Sequence, residues 1–567
     1  MTKMKVMGIA MLAVGALLLC SLPMAAADSP QASVQHATAF GVGHVTQAYQ
    51  PTVWGLHQAN PVRRIPKPTA NQGTDQAIQH SEPFSAEFNM GYHVLGVGNG
   101  FPGYTVPDAP PDTTLAVGGT EVVQWVNVSY ADFNKATGAI IPLNGLDSTE
   151  GNTVWHNLIP GSLCANNNDG DIIVKYDRAA QRWLIMQNVF TSPYAVCVAI
   201  SQTATFSDNL WYAYQFPVLN AGFPDYPKWG VWSTGGASDG YYQAWNDFGP
   251  GGSGFLGAVV CGYDRAKMLA GDPSAEQICN LFSINPNYQD SLLPADRDSP
   301  IPPPSSEDEF FIGSLGDIDN SHFSLYSMHI NNWATGSASY TGDGDSQLLS
   351  VATFNPACNG NYGGDCVPQA GTTSLLDSLG DRLMYRFAYW EDQPPANATA
   401  TPPLPAPAQH WYFNHDVTGS SSQNAVRWYE LTSNLRTVPV TSLIVFQQGT
   451  YEGSPADAQW RWMGSLTTDN KHDILVGYSE SSSSTHPAIY VAGRKSTDPL
   501  GQLSAEVLSV QGNGSQPSTA NRWGDYSTMA IDPSDNCTFF YTTEYYMVTQ
   551  QFDWSTDVSS WKFPNCH

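Results

Sequence analysis

The chain predicts an all-β fold: a seven-bladed β-propeller of four-stranded blades, preceded by an irregular N-terminal arm. Three observations carry that prediction. From about Glu87 onward, short apolar and aromatic runs alternate with turns rich in Gly, Asn, Asp and Pro, the texture of strands joined by tight connections. No segment sustains the 3.6-residue period of an amphipathic helix. Strand–turn–strand units recur seven times, which radial repetition of blades explains and a pair of packed sandwiches does not.

The units run in order. The first is TTLAVGGTEVVQWVNV from Thr113, the second DIIVKYDRAAQRWLIMQNVF from Asp171, the third YPKWGVWSTGGASDGYYQAWNDF from Tyr226. FFIGSLGDIDNSHFSLYSMHI from Phe310 is read as the fourth, and DRLMYRFAYW from Asp381 as the fifth, interrupted by PPANATATPPLPAPAQ. WMGSLTTDNKHDILVGYSES from Trp462 and YSTMAIDPSDNCTFFYTTEYY from Tyr526 complete the series. Thr113 to Tyr526 spans 413 residues, about 69 per unit, which leaves room for further strands such as YAVCVAISQ at Tyr194 and AIYVAGRKS at Ala488. A ring of blades also leaves few open sheet edges.

Composition narrows the class. Of 567 residues, 13% are charged, 42% hydrophobic and 12% aromatic, which excludes disordered, collagen-like and coiled-coil chains. Lys plus Arg total 23 against 50 Asp plus Glu, a net charge of −27. Such a surface repels phosphate, so nucleic acid is not an expected partner.

Residues 1–27 have the layout of a cleavable secretory signal. Lys3 and Lys5 precede an apolar run from Val6 to Leu19, and Ala25, Ala26 and Ala27 precede Asp28,. Leu19 is too large to precede a lipidated Cys20. No later run reaches 18 apolar residues, so the mature chain is expected to be free of the membrane and secreted, extracellular or periplasmic. Cleavage removes two lysines and no acid, taking the charge from −27 to −29.

Cleavage also leaves eight cysteines, an even count that suggests disulfides in an exported chain,. Eight cysteines allow 105 pairings. Pairing sequence neighbours gives the simplest set: Cys164–Cys197, Cys261–Cys279, Cys358–Cys366 and Cys537–Cys566. No CxxC or Cys/His spacing of the zinc type occurs.

Residues 28–85 are rich in Gln, Ala, Thr, Pro and Ser and read as a linker or propeptide-like arm, leaving 86–567 as the propeller domain. Arg63-Arg64-Ile65-Pro66 matches the Arg-Ile-Pro that precedes the first blade of sialidases, but one tripeptide in a Pro-rich stretch is read as linker.

The polar residues at the unit starts carry the functional signal. The innermost strand of each blade runs along the central channel, so residues at one end of these strands converge on one mouth. The starts carry Asp112 in PPDTT, Asp169 and Asp171 in NDGD, and Asp225, Tyr226 and Lys228 in PDYPK. Asp296 and Asp298 lie in PADRDSP, Asp381 and Arg382 in GDRLMYR, Arg461 in QWRWMGS, and Arg522, Trp523, Asp525 and Tyr526 in NRWGDYS. Asp also opens turns and caps backbone NH groups, which is the structural alternative for each.

The strings PPDT-x-x-AVG…VQWVN, NDGD, PDYPK, LPAD-x-D, GDRLMYR, RWMGS and NRWGDYS resemble a widespread family of secreted bacterial β-propellers, sialidase-like and of the BNR type. The resemblance covers roughly residues 90–567. It implies the architecture and supplies no mechanism. The chain departs from true sialidases in lacking a clear S-x-D-x-G-x-T-W box; SQTATFSDNLW at Ser201 and STDPLGQL at Ser496 only echo it.

Other constellations are weaker. G-x-S-x-G, G-x-G-x-x-G and Walker motifs are absent. His410, His415 and Asp416 lie in HWYFNHD, where strand alternation puts the two histidines on opposite faces, so a strand is preferred to a metal site. NNNDGD, with Asp169 and Asp171, and GDIDN at Gly316 offer clustered oxygens that suit calcium, though neither completes an EF-hand loop; calcium or no cofactor is the expectation.

Two functions stand. One is a glycan-active enzyme, a glycoside hydrolase or a polysaccharide lyase, working on an extracellular poly- or oligosaccharide at the channel mouth. Its candidate acids and bases are Asp112, Asp225, Asp298, Asp381 and Asp525. Tyr226, Lys228, Arg382, Arg461, Arg522, Trp523 and Tyr526 would bind the sugar. The other is a non-enzymatic binding or adhesion propeller, since fold alone does not license catalysis. Either way the expected partner is carbohydrate and the expected state a monomer.

Overall fold

The computed structural model describes residues 33–49, 58–59, 62–63, 65, 73–283, 290–314, 320–341, 348–360, 364–392, 409–433, 442–454 and 457–567. The expected signal segment, 1–27, lies outside them, as do most of GDIDN and the proline-rich insertion of the fifth unit.

The fold is all-β. Seven antiparallel meanders follow one another along the described chain. The first runs through Thr113–Val117, Glu121–Val126 and Ser129–Asn134 to the short Thr149–Glu150. The second comprises Ile173–Asp177, Arg182–Val189, Ala195–Ser201 and Leu210–Pro217. The third comprises Phe223–Trp232, Gly240–Gly249, Ser253–Asp264 and Glu276–Ser283. The fourth opens on Asp290–Arg297 and continues through Glu309–Ser314, His322–Asn332 and Ser337–Thr341. The fifth is Leu383–Glu391, Gln409–Thr418, Asn424–Ser433 and Ile444–Tyr451. The sixth is Trp460–Thr468, Ile474–Ser482, Thr485–Arg494 and Val507–Val510. The seventh has Thr528–Ile531, Thr538–Tyr545 and Ser555–Lys562, and borrows its fourth strand, Asn89–Gly96, from ahead of the first.

The first strands of successive sheets touch in chain order, those of the fourth and fifth pairing in parallel from Ala295–Phe387 to Arg297–Tyr389 so that the two sheets are continuous, and that of the seventh touches that of the first. Side-chain alternation then decides what each sheet buries. Val123 and Trp125 of the first sheet pack with Val174, Trp183 and Ile185 of the second. Their alternates Val122 and Val126 pack with Phe540 and Val558 of the seventh. Leu184 and Met186 of the second meet Trp229, Tyr241 and Val259 of the third. Both faces of each sheet are thus covered, which is why the strands read as continuous apolar runs and not as apolar–polar alternation.

Two expectations are corrected. The fourth unit begins one strand earlier than Phe310, at Asp290; its opening DSLLPADR is short of aromatics and ends, where a start was read, at Asp296 and Arg297. The arm is not irregular throughout. Ser33–His36 adds to the fourth strand of the third sheet and Ala39–His44 to that of the second. Outer strands held by backbone bonds and half open to solvent need no hydrophobic pattern, so composition hid them.

Disulfides join Cys164 to Cys197, Cys261 to Cys279, Cys358 to Cys366 and Cys537 to Cys566. Among the described residues, no helix is long and apolar enough to cross a membrane.

Candidate active site

A cleft of about 260 Å³ opens where the first strands of the first, second, third and seventh sheets begin; Asp112, Asp169, Asp171, Asp225 and Asp525 line it with Arg63, Arg522, Phe190 and Phe223. Backbone geometry explains how they meet. Asp112 and Asp171 end the loops leading into their sheets, each with a left-handed backbone (φ 46° and 51°). Asn127 fastens both: its amide nitrogen donates to Asp112 Oδ2 (2.8 Å) and its Oδ1 accepts from the Asp171 amide (2.9 Å). In the third sheet a bulge after Asp225 puts Tyr226 at φ 53°. Bulges with a left-handed residue recur at Ser291 and Met463 in the fourth and sixth sheets, so re-aiming the start of the first strand is a habit of this fold.

The carboxyls are not equivalent. Asp112 Oδ1 accepts from the Asp525 amide (2.6 Å), and burial with the like charges of Asp525 and Asp171 raises it well above the usual carboxyl range. Asp171, half-buried and with no hydrogen bond to its carboxyl among the described residues, is pushed up to about 7 by burial and then by Asp225. Asp225 is raised by burial against the opposing pull of Arg63, whose Nη1 lies 3.2 Å from its Oδ1. Asp525 accepts from Arg522 Nη2 at 2.5 Å. Asp169 accepts from the Phe190 amide at 2.7 Å. Phe190 and Phe223 stack with centroids 5.0 Å apart, and the Arg63 guanidinium sits 3.7 Å over Phe223.

Beneath the cleft lies a buried cation. Lys228 Nζ is clamped 3.4 Å from the Tyr226 ring centroid and 3.9 Å from that of Tyr526. Burial pulls it down to about 7 against the attraction of Asp171 and Asp525. Tyr226 donates its hydroxyl to the Leu383 carbonyl (3.0 Å). Tyr226 and Tyr526 are therefore floor, not exposed stacking platforms.

The other sequence candidates do not line the cleft, although Arg382 lies 4.8 Å over the Tyr226 ring of its floor. Asp298 sits at the far end of its strand, gripped by the Arg386 guanidinium and the Thr467 hydroxyl, while Asp296 binds Lys175 and Arg386 Nε (2.7 Å). Asp381 is closed by its neighbour Arg382 (2.7 Å), whose Nη2 also donates to the Arg63 carbonyl (3.2 Å). Arg461 is fully buried among Asp457, Glu480 and Glu506 in the sixth sheet. Trp523 packs on Trp462 and Tyr546 and donates to Ser479 Oγ at 3.2 Å.

Sequence reasoning missed Arg63, read as linker, and the two phenylalanines. The Arg-Ile-Pro match was the one signal for Arg63.

No family model matches the chain, and no curated protein sequence matches it. Among solved structures it is similar to the catalytic domain of an α-L-arabinofuranosidase from Coprinopsis cinerea (10% identity, 70% of this chain, 92% of that one, TM-score 0.29). A neuraminidase-like protein from a flat-faced bat isolate aligns at 9% identity over 81% of this chain and all of its own length (TM-score 0.29). The WD40 domain of SCAP from fission yeast aligns at 8% over 80% and 85% (TM-score 0.34). Likeness this distant leaves the site to be interpreted from its own residues.

Proposed function

We propose that the chain is a secreted glycoside hydrolase built on a closed seven-bladed β-propeller over residues 86–567, with 28–85 as an N-terminal arm, and that its Asp-lined cleft takes a neutral oligo- or polysaccharide. The ring of contacts between first strands, and the closing strand Asn89–Gly96 on the seventh sheet, support the closed propeller,. Four disulfides support an oxidising compartment,.

The observation that carries the activity is Asp171 beside Asp225 in one cleft. Glycoside hydrolysis needs one carboxyl still protonated at working pH and a second that is ionised. Asp171, raised to about 7, donates its proton to the departing glycosidic oxygen. Asp225, held by Arg63, acts from across the bond as base or nucleophile. Phe190, half-buried and backed by the buried Phe223, offers an apolar surface to a sugar's C–H face. Both guanidiniums of the cleft already face a carboxylate, Arg63 that of Asp225 and Arg522 that of Asp525, so neither is free to pair with an acidic sugar. That favours hydrolysis of a neutral glycan over a lyase, which needs a cation free to neutralise a uronate.

The test is a degradation screen of neutral and anionic polysaccharides, followed by Asp171→Asn and Asp225→Asn. Each variant should lose about 10²–10⁴-fold in kcat/KM with unchanged circular dichroism. Wild-type kcat/KM should fall as pH rises through about 7, where Asp171 loses its proton, and Asp171→Asn should abolish that limb. A glycan retained but never cleaved would make the chain a binding module.

A further inference from the structure

At the other end of these strands, a second cluster joins the fifth sheet to the sixth. Asp392 directly follows the first strand of the fifth sheet, His410 lies near the start of its second, and His472 sits in the turn between the first two strands of the sixth. One ligand atom from each lies within 4.8 Å of the other two. Both Nε2 atoms face the Asp392 carboxylate, that of His472 at 2.6 Å and that of His410 at 3.5 Å. The rings are 4.5 Å apart.

We propose that Asp392, His410 and His472 bind a zinc-type divalent cation that clips the fifth sheet to the sixth.

The outer contacts carry the argument. His410 Nδ1 is 2.7 Å from Glu430 Oε1, and Glu430 Oε2 is held by Gln447 Nε2 at 2.5 Å. His472 Nδ1 is 3.3 Å from the Tyr412 hydroxyl, itself 3.2 Å from Glu430 Oε1. Each ring is thus anchored through Nδ1 and turns Nε2 inward, the arrangement in which an outer carboxylate fixes the tautomer of a metal-binding histidine. Among the described residues His410 Nε2 is buried with no hydrogen-bond partner and only a 3.5 Å ion pair to Asp392, and the His410 side chain is only 5% exposed. A buried ring nitrogen aimed at a carboxylate and a second imidazole, and bonded to neither within hydrogen-bond geometry, is a ligand atom in search of an electrophile. Two imidazoles and one carboxylate suit zinc and its neighbours and not calcium or magnesium, which take oxygen. Tetrahedral bonds of about 2.0–2.1 Å would set ligand atoms roughly 3.3 Å apart, so His472 and Asp392 must part slightly and the two imidazoles, whose ligand atoms lie within 4.8 Å, must draw together. Asp392 and His472 are 30% and 26% exposed, which gives the ion a way in and leaves its fourth position to water. His415, five residues along the same strand, points elsewhere, toward Tyr429 Oη at 3.0 Å, and takes no part.

The full chain, stripped with EDTA and dialysed, should take up one zinc ion per chain when titrated with zinc chloride, and cobalt(II) in its place should show the visible bands of a tetrahedral site. Asp392→Asn and His472→Asn should lose the binding. Glu430→Gln, which touches only the outer shell, should weaken it about 10–100-fold. His329→Ala, which breaks another His–Asp pair (2.8 Å), should bind as the wild type does. Absence of zinc uptake by the folded wild type, or equal uptake by wild type and His472→Asn, would overturn the proposal. If a variant does not fold, the wild-type stoichiometry and the cobalt spectrum still decide.

Discussion

Arg386 shows how a single side chain can matter more to the fold than to the chemistry. Its guanidinium holds Asp296 and Asp298 of the fourth sheet and donates to the Met529 carbonyl of the seventh (3.2 Å), while Asp296 also binds Lys175 of the second. Arg386→Met would leave Asp298 with little beyond the Thr467 hydroxyl. Removing one partner of a buried pair typically costs about 3–5 kcal/mol, and urea denaturation should read a loss of that order. Adding Asp298→Asn should recover part of it, because the cost lies in the orphaned charge; a double variant no better than the single would sink that account. The same residues mark how far the sequence could be followed. That Asp112, Asp171, Asp225 and Asp525 share a cleft follows from their place at unit starts. Asp298 lay within PADRDSP, where nothing in the local sequence separates a strand's beginning from its end. Arg63 meets Asp225 across 162 positions, and a contact of that range leaves no trace in a linker's composition.

At the scale of elements, strands were the most legible feature, because sheets covered on both faces draw apolar and aromatic residues to both alternating sets of positions. The order of the sheets was legible too, whereas the source of the last strand was not. Asn89–Gly96 reads like any other half-exposed strand, and only its partner reveals that it closes the seventh sheet. Gln124, fully buried in the first sheet, is the fastener. Its Nε2 donates to Thr542 Oγ1 and Thr556 Oγ1 of the seventh sheet, both at 2.8 Å, and its Oε1 accepts from the Val97 amide just beyond the closing strand, also at 2.8 Å. A Cβ on Gly96 would come within 2.5 Å of Gln124, so the strand must pass closely here. Gln124→Ala leaves buried donors and acceptors unmet, each worth about 1–3 kcal/mol. We expect a loss of about 3 kcal/mol and a broader, less cooperative transition as the ring opens. An unchanged urea midpoint would show that the closure does not depend on this residue.

For the whole molecule, the acidic balance and the many buried carboxyls point to stability that declines with pH. Burial raises Asp247 to about 7, Asp132 to about 9 and Glu480 to about 9, and carries Asp112, Glu309, Asp416 and Glu544 well above their usual range. In the unfolded chain these groups ionise near pH 4. A group whose folded value is raised contributes stability that is complete below its unfolded value and is lost as pH climbs through the folded one. Between pH 5 and 9 each of them therefore favours the acid side, and so does the relief of self-repulsion in a chain of net charge −27,. The opposite sign belongs to Asp296, Glu506 and Asp535, lowered despite burial by Arg386 and Lys175, by Arg461, and by hydrogen bonds from Thr538. Their contribution is present above about pH 4 and fades only as they protonate below it. Lys228 and Lys175, pulled down by burial to about 7 and about 8, also oppose the trend, but only toward its alkaline end,; the raised carboxyls outnumber them, so the melting temperature should rise from pH 9 to pH 5 and turn down only below about pH 4. Asp247→Asn isolates one member: burial raises the Asp247 carboxyl against only the Trp245 indole, so the amide should stabilise at pH 8 and lose its advantage near pH 4. A melting temperature that stayed flat, or climbed with pH between 5 and 9, would mean that these carboxyls are ionised in the folded chain and that their burial is compensated by cations or water.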